Sequence, residues 1–140
     1  MLDDLKFIHG RDKSDALGVA EKQWQQLGQL YESSVNSTRV ENVVVAGMGG
    51  SALAATFIPV WPGLKVPFEI VRGYEAPSYV SKNTLFIASS YSGNTEETLS
   101  ALNQVEKCGA TIAVISAGGK LAEIAENKNY PLFKLPSDFQ

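Results

Sequence analysis

The chain has 140 residues, 44% of them hydrophobic, and a formal net charge of −3 at pH 7, which is the size and composition of one globular domain. It contains no block of basic residues, so binding to nucleic acid through the phosphates is not expected. A single cysteine, Cys108, excludes an internal disulfide, and with no apolar run of ~18 residues and no secretory signal we expect a cytoplasmic protein without membrane contact.

The first predicted element is a helix over residues 12–34. Apolar residues recur there at alternating steps of three and four, which places them on one stripe of a helix. The stripe consists of Leu17, Ala20, Trp24, Leu27 and Tyr31. Gly18 and Gly28 each weaken this helix by roughly 1 kcal/mol. We therefore expect residues 1–38, which end in a polar connector, to form a helical segment packed on a domain at residues 39–140.

From residue 42 onward, short apolar segments alternate with helical ones. The predicted strands are residues 42–46, 67–71, 84–88, 111–115 and 131–135, and the predicted helices are residues 50–61, 94–107 and 119–127. The strands are apolar throughout, which indicates burial on both faces, and their alternation with helices indicates parallel pairing through right-handed crossovers. The sequence predicts an α/β fold: a three-layer α/β/α sandwich around a five-stranded parallel sheet, with the flavodoxin-like order 2-1-3-4-5.

The turn after the first strand, Gly-Met-Gly-Gly-Ser-Ala at residues 47–52, has three interpretations. It is a loose match to the dinucleotide fingerprint G-x-G-x-x-A. That class of site needs an acidic residue at the end of the second strand, but Glu69 lies mid-strand and Arg72 takes the end, where it could bind a 2′-phosphate. Alternatively, the glycines only allow close packing of strand and helix, or the turn and the Ser51 hydroxyl form a compact site for a phosphate or a sugar.

A loop rich in hydroxyl groups follows the third predicted strand. Residues 89–98 read Ser-Ser-Tyr-Ser-Gly-Asn-Thr-Glu-Glu-Thr and open a helix. The backbone N–H and side-chain O–H groups of such a loop can be aimed at one point, which suits a phosphate ester. No lysine, arginine or histidine occurs in residues 83–106, so we expect neutral donors and the helix dipole to hold an anion here.

In a sheet of order 2-1-3-4-5, the loops after strands one and three flank the switch point at which ligands bind. We therefore expect residues 49–51 to face residues 90–95. Two tight loops that meet at one point favour a phosphorylated sugar over a dinucleotide, which needs a groove extending to strand two. Asn94 is predicted to cap the following helix, with Glu97 returning a bond to the Asn94 amide. Glu96 and Glu97 are expected to point away from a bound phosphate.

With these two loops, the sequence resembles the sugar isomerase (SIS) domain family, and within it the N-terminal half of bifunctional phosphoglucose/phosphomannose isomerases. The similar stretches are residues 47–52, 71–77, 89–98 and 135–140, the last of which is similar to the approach to an arginine-bearing motif. The resemblance covers the whole chain, and one departure is Ala52, where a third glycine is common. Since such enzymes carry a second, similar domain, we expect this chain to be the first half of a longer protein.

The resemblance also implies roles for residues of the two loops. It implies that the phosphate is bound by Ser90, Ser92 and Thr95, with help from the backbone of Tyr91, Gly93 and Asn94. It implies that the sugar side is lined by Gly49, Gly50 and Ser51. The implied partner is a sugar phosphate substrate, with no metal and no cofactor, and the implied assembly is a homodimer.

The implied chemistry is aldose–ketose isomerisation through an enediol, which interconverts glucose 6-phosphate or mannose 6-phosphate with fructose 6-phosphate. A carboxylate moves a proton between C1 and C2, an acid assists ring opening, and a cation stabilises the enediolate. In the resembled enzymes the base lies in the second domain, the histidine in the partner subunit and the arginine beyond this segment. We therefore expect no catalytic residue in this chain, weak binding of sugar phosphates and little or no turnover by the chain alone. The one histidine, His9, is interpreted as an exposed residue near the terminus.

Two other functions stay open from the sequence. SIS domains also sense phosphosugars within regulators, although the N-terminal stretch shows no basic recognition helix for DNA. A Rossmann-type dinucleotide-binding domain is the second alternative. It predicts preferential binding of NAD or NADP over fructose 6-phosphate.

Overall fold

The computed structural model describes residues 4–28, 34–36 and 39–137. The chain divides into two compact units, one of Met1–Tyr31 with Pro136–Gln140 and one of Glu32–Leu135. Within the described ranges, no helix combines the length and the apolar character needed to cross a membrane.

The first unit contains short helices. They are α1 (Leu5–Arg11), α2 (Ala16–Lys22) and the 3₁₀ helix Gln23–Gly28. The Asp4 carboxylate caps the start of α1. The Asp12 carboxylate accepts the N–H groups of Leu17 and Ala16 at 2.9 and 2.8 Å, and these two bonds lower the pKa of Asp12. Hydrogen bonds to aspartate carboxylates therefore fix the start of α1 and the start of α2.

The continuous helix predicted over residues 12–34 is wrong in the described part of the chain. α2 starts only after the turn held by Asp12, and from Gln23 the backbone tightens into the 3₁₀ helix. Glycines 18 and 28 leave this segment with too little helix propensity for one long helix. Leu17 and Trp24 are more than half exposed, so the periodicity does not correspond to burial at these two positions. Tyr31, the Leu27 side chain and connector residues 33, 37 and 38 lie outside the described residues.

The second unit is built on a five-stranded parallel sheet. Its strands are β1 (Asn42–Ala46), β2 (Phe68–Val71), β3 (Thr84–Ser89), β4 (Thr111–Ser116) and β5 (Leu132–Lys134). The order across the sheet is β2-β1-β3-β4-β5, and every neighbouring pair is parallel. The predicted α/β class and the predicted strand order are confirmed.

Helices pack on both faces of this sheet, which confirms the three-layer arrangement. They are α3 (Gly50–Leu53), the 3₁₀ helix Ala54–Val60, α4 (Glu96–Glu106) and α5 (Gly119–Lys128). On one face Val44 and Phe86 are fully buried in a core shared with α4 and α5. On the other face Val43 and Val45 pack against Ala55. Because both faces of β1 are covered, its apolar residues do not alternate with polar ones.

The reversal of strand order brings the ends of β1 and β3 side by side. Ala46 and Ala88 are register partners near the carboxyl ends of these strands. The chain leaves β1 towards β2 and leaves β3 towards β4, which lie in opposite directions across the sheet. The loops after the two strands therefore open a crevice at one edge of the sheet.

Candidate functional site

The turn after β1 needs glycine at two positions. Gly49 has a φ of +53° and a ψ of −127°, a conformation that residues with a side chain rarely adopt. A Cβ added to Gly47 would lie 2.9 Å from the carbonyl oxygen of Ser89. Gly47 thus lets the end of β3 approach the turn closely, so the packing interpretation of the glycines holds at this position. Gly49 gives the turn the shape from which α3 starts.

The loop after β3 closes on itself through its hydroxyl groups. Ser90 is buried, and its Oγ lies 2.7 Å from Oγ1 of Thr95. The same Oγ accepts the N–H of Gly93 at 3.1 Å. The Oγ of Ser92 accepts the N–H of Asn94 at 3.3 Å. Hydrogen bonds within the loop therefore fix the positions of three hydroxyl groups.

Two hydrogen bonds join the glycine turn to the hydroxyl loop. The Ser51 Oγ accepts the N–H of Tyr91 at 3.2 Å, and the Ser51 carbonyl oxygen accepts the Ser89 hydroxyl at 3.2 Å. The prediction that the two loops face each other is confirmed at Ser51. Gly49 and Gly50 belong to the same turn, and their role on the sugar side stays a prediction.

The N-cap of α4 is Thr95 and not Asn94, so the predicted capping box of Asn94 and Glu97 is wrong. The Asn94 side chain accepts the N–H of Lys120 at 3.2 Å, in the first turn of α5. Its Nδ2 group donates to the Ser92 carbonyl oxygen at 3.2 Å. The local capping rule fails here because the fold offers Asn94 the start of a different helix.

The two acidic residues at the start of α4 lie close to a tyrosine. Glu96 and Glu97 occupy the first turn, where the helix dipole favours negative charge. The negative charge of Glu97 raises the pKa of Tyr74, which lies in the segment after β2. Burial of Tyr74 and the charge of Glu96 raise this pKa further. The predicted orientation of these carboxylates away from a bound phosphate stays a prediction.

The N-terminal end of α4 carries neutral donors next to the hydroxyl loop. The N–H of Leu99 donates to the Thr95 carbonyl oxygen at 3.0 Å, the first bond of the helix ladder. The N–H groups of residues 96–98 come before this bond in the chain and form the positive end of the helix dipole, which favours binding of an anion. Thr98 is buried, and its Oγ1 has no hydrogen-bond partner among the described residues.

The turn between β4 and α5 holds the hydroxyl loop from its other side, which sequence analysis did not predict. The N–H of Ala117 donates to the Tyr91 carbonyl oxygen at 3.0 Å, and the N–H of Leu121 donates to the Gly93 carbonyl oxygen at 2.9 Å. Gly93 has a φ of +70°, and a Cβ there would overlap the Gly118 carbonyl oxygen. The sequence signal was a pair of glycines after a strand that ends at the same edge of the sheet.

Glu69 and Arg72, the residues considered for binding a dinucleotide, do not form the expected site at the end of β2. Glu69 lies inside β2 opposite Val44, and its carboxylate accepts the Tyr79 hydroxyl at 2.6 Å. Burial, the hydrogen bond to Glu69 and the charge of Glu69 raise the pKa of Tyr79 to about 12. With Glu69 bound to Tyr79 and Arg72 following the strand, β2 presents no acid at its end for a ribose.

The described residues contain no group of three or more His, Cys, Asp or Glu side chains that could hold a metal ion. His9 lies in the last turn of α1 and is exposed, as expected. The two loops at the edge of the sheet offer hydroxyl and N–H groups for hydrogen bonding.

Comparisons with known proteins agree with this fold. Residues 38–132 match the family model described as the SIS domain. A bifunctional phosphoglucose/phosphomannose isomerase of Caldicellulosiruptor bescii is 41% identical over 117 residues, which cover 82% of this chain and 34% of that protein. A D-glucosamine-6-phosphate 4-epimerase of Sulfolobus acidocaldarius is 34% identical, over 84% of this chain and 39% of that protein. The chain thus spans somewhat more than a third of the length of these relatives.

A solved structure shares the fold. The crystal structure of a "putative phosphosugar isomerase" of Bacillus subtilis superimposes with a TM-score of 0.57 and 20% sequence identity. The alignment covers 86% of this chain and 37% of that one. At this level of identity the likeness concerns the fold alone.

Proposed function

The chain belongs to the SIS domain family, and on that premise we propose that it is the phosphate-binding part of an aldose–ketose isomerase. The substrates of that enzyme would be glucose 6-phosphate or mannose 6-phosphate and fructose 6-phosphate. The similarity to bifunctional phosphoglucose/phosphomannose isomerases supports this choice. The similarity to a 4-epimerase of a hexosamine phosphate supports the coarser part of it, a phosphorylated sugar.

The observation that carries the proposal is the closed hydroxyl loop next to the start of α4. In the pair of Ser90 and Thr95, one hydroxyl donates to the other, so the second hydroxyl keeps its proton for a ligand. The N–H groups of residues 96–98 lie at the positive end of the helix. A phosphate dianion bound there would meet donors that carry no formal charge.

The backbone N–H groups predicted to bind phosphate have a different use in the proposed site. The amides of Gly93 and Asn94 donate to the hydroxyl oxygens of Ser90 and Ser92, and the Tyr91 amide donates to Ser51. Each amide N–H occupies one lone pair of a hydroxyl oxygen, so the O–H bond of that hydroxyl group points in another direction. We propose that these amides orient the hydroxyl groups, and that the hydroxyl protons contact the phosphate and the sugar.

The proton-transfer chemistry is assigned to parts outside this chain. The phosphate end of the substrate would be held by the hydroxyl loop, and the sugar carbons would extend past Ser51, Gly50 and Gly49. We propose that none of the described residues acts as the general base, as the acid or as the cation that stabilises the enediolate. The complete enzyme is proposed to be a cytoplasmic homodimer, and the chain alone is proposed to bind substrate with little or no turnover.

Calorimetric titration of the 140-residue chain tests the proposal. We expect binding of fructose 6-phosphate and glucose 6-phosphate, and no measurable binding of unphosphorylated fructose at the same concentration. Tighter binding of NAD or NADP would contradict the proposal and favour the Rossmann-type alternative. A coupled isomerase assay on the same sample tests the location of the base, since robust turnover would place it within this chain.

A further inference from the structure

The first turn of α5 lies against the hydroxyl loop and brings a lysine to it. The Asn94 Oδ1 accepts the N–H of Lys120 at 3.2 Å, and the N–H of Leu121 donates to the Gly93 carbonyl oxygen at 2.9 Å. Both bonds hold the backbone of the helix start, and the lysine side chain leaves the backbone between them. A basic residue that lies 26 positions after Asn94 in the chain is therefore a neighbour of the loop in space.

The side chain of Lys120 lies on the side of α5 that faces α4. Both helices connect parallel strands of one sheet, so they run in the same direction and their first turns lie at the same edge. Near the other end of α5, Lys128 reaches across to α4, where its Nζ lies 2.6 Å from the Glu106 carboxylate. Lys120 and Lys128 are eight residues apart, or about 2.2 helical turns, and so share one side of α5. Lys120 therefore extends towards the first turn of α4, where the hydroxyl loop ends.

The position of Lys120 is electrostatically unfavourable without an anion. A cation is favoured in the last turn of a helix, as with Lys128, and disfavoured in the first turn, where Lys120 lies. The ion pairs among the described residues are Arg39 with Glu41 and Lys128 with Glu106, so neither of them compensates the charge of Lys120. The positive ends of α4 and α5 and the lysine ammonium thus meet beside the hydroxyl loop. Local rules of this kind are typically broken at functional sites.

We propose that Lys120 is a further phosphate-binding residue, whose ammonium group donates to an oxygen of the phosphate ester held by the hydroxyl loop. The inference rests on the function proposed above and adds one formal positive charge to a set of neutral donors. Sequence analysis predicted neutral donors alone because Lys120 lies outside residues 83–106. The flexible four-carbon stem of lysine lets its ammonium approach a phosphate oxygen as a point charge. The bound dianion would in turn compensate the charge at the start of α5.

Calorimetric titration of Lys120→Met with fructose 6-phosphate tests the role, because methionine keeps an unbranched stem and removes the charge. We expect the dissociation constant to rise about tenfold, and to rise more at an ionic strength of about 0.01 M than at about 1 M, where salt screens the charge. Inorganic phosphate as the ligand should show the same relative loss. Lys120→Arg keeps the charge and should recover most of the affinity.

Lys82→Met is the matched control. Lys82 is exposed and precedes β3, so it lies at the opposite edge of the sheet, and its replacement removes the same charge. We expect the affinity of this variant to equal that of the unmodified chain.

Urea denaturation separates binding from folding. Lys120→Met is expected to be at least as stable as the unmodified chain, because it removes a cation from the start of a helix. Equal affinity of Lys120→Met and the unmodified chain would overturn the inference while the proposed function stands. An equal loss in Lys82→Met, a loss that follows lowered stability, or no recovery in Lys120→Arg would overturn it as well. Absence of binding by the unmodified chain would contradict the proposed function and the role of Lys120 with it.

Discussion

The Asn94 side chain joins the hydroxyl loop to the start of α5. Its Oδ1 accepts the N–H of Lys120 at 3.2 Å, and its Nδ2 donates to the Ser92 carbonyl oxygen at 3.2 Å. The two bonds use both ends of one amide group, so the loop and the helix constrain each other. The position of the Ser92 hydroxyl therefore depends on a helix that begins more than twenty residues further along the chain.

Replacing Asn94 is expected to lower both stability and affinity for fructose 6-phosphate. Asn94→Ala removes a helix cap, which lowers the free energy of unfolding by about 0.5–2 kcal/mol. It also removes the side-chain bonds that hold the hydroxyl loop to α5. Asn94→Asp keeps the acceptor for Lys120 but sets a carboxylate oxygen against the Ser92 carbonyl oxygen and adds negative charge near the proposed phosphate. We expect Asn94→Asp to bind more weakly than Asn94→Ala at pH 8, as measured by calorimetry, with urea denaturation giving the stability.

Asn127→Ala is the matched control for these variants, because Asn127 is exposed on α5 and lies away from its first turn. It is expected to leave affinity unchanged. Equal affinity in Asn94→Ala and the unmodified chain would contradict a positioning role for Asn94.

The hydroxyl pair of Ser90 and Thr95 predicts coupled losses of affinity. Ser90→Ala and Thr95→Ala are each expected to weaken binding of fructose 6-phosphate by about 1–3 kcal/mol, the range for a hydrogen bond to a charged group. Because the two oxygens are 2.7 Å apart, the double variant should lose less than the sum of the two single losses. Calorimetry on all four proteins completes the cycle.

Thr95→Ser is the control for this pair, since it keeps the hydroxyl group and loses only a methyl group. It is expected to bind within about twofold of the unmodified chain. Unchanged affinity in both alanine variants would show that the phosphate binds elsewhere.

Much of the fold follows from patterns within short segments of the sequence. β1 has the predicted bounds, and α5 ends one residue after the predicted end, because four apolar residues in a row and an apolar stripe are local signals. The alternation of strands and helices predicts the parallel pairing, and the predicted order is one of the common orders of such doubly wound sheets. The long N-terminal helix was wrong because apolar periodicity does not register the turn held by Asp12 or the change to a 3₁₀ helix at Gln23.

The candidate site was only partly predictable for the opposite reason. Ser51 and Ser90 could be assigned to one edge of the sheet because both follow strands that meet at the switch point. The partner of Asn94 could not be predicted, because a capping rule considers only the next three residues. In the folded chain Asn94 accepts the N–H of Lys120 instead. The β4–α5 turn was missed because the bonds of Ala117 and Leu121 to the loop start from backbone N–H groups, so the pair of glycines after β4 was the one sequence signal.

The pKa of Tyr79 predicts a change in stability at high pH. Burial and Glu69 raise this pKa to about 12, above the ordinary value of 10.0, so the folded state binds the phenolic proton more tightly than the unfolded state does. The stabilisation is complete below pH 10 and is lost as the pH rises towards 12. We expect Tyr79→Phe to have a shallower fall in melting temperature between these values.

Absorbance of tyrosinate at 295 nm during a pH titration provides the direct measurement. Glu69→Gln is expected to shift the Tyr79 transition to lower pH, because the amide can still accept the hydroxyl proton but carries no charge. Burial remains in that variant, so the pKa should stay above its ordinary value. A Tyr79 transition at the ordinary value in the unmodified chain would contradict the contact with Glu69.

Gly93→Ala is expected to be far more damaging than Gly109→Ala, although both glycines have a φ of +70°. A Cβ at Gly109 has no atom within 4 Å, so that substitution isolates the cost of a left-handed backbone, about 1 kcal/mol. A Cβ at Gly93 would overlap the Gly118 carbonyl oxygen, so the β4–α5 turn must move away from the loop. Urea denaturation should show the larger loss of stability in Gly93→Ala, and calorimetry should show loss of fructose 6-phosphate binding in that variant only. Equal losses of stability would mean that the turn yields freely, and the loop would then not depend on this contact for its shape.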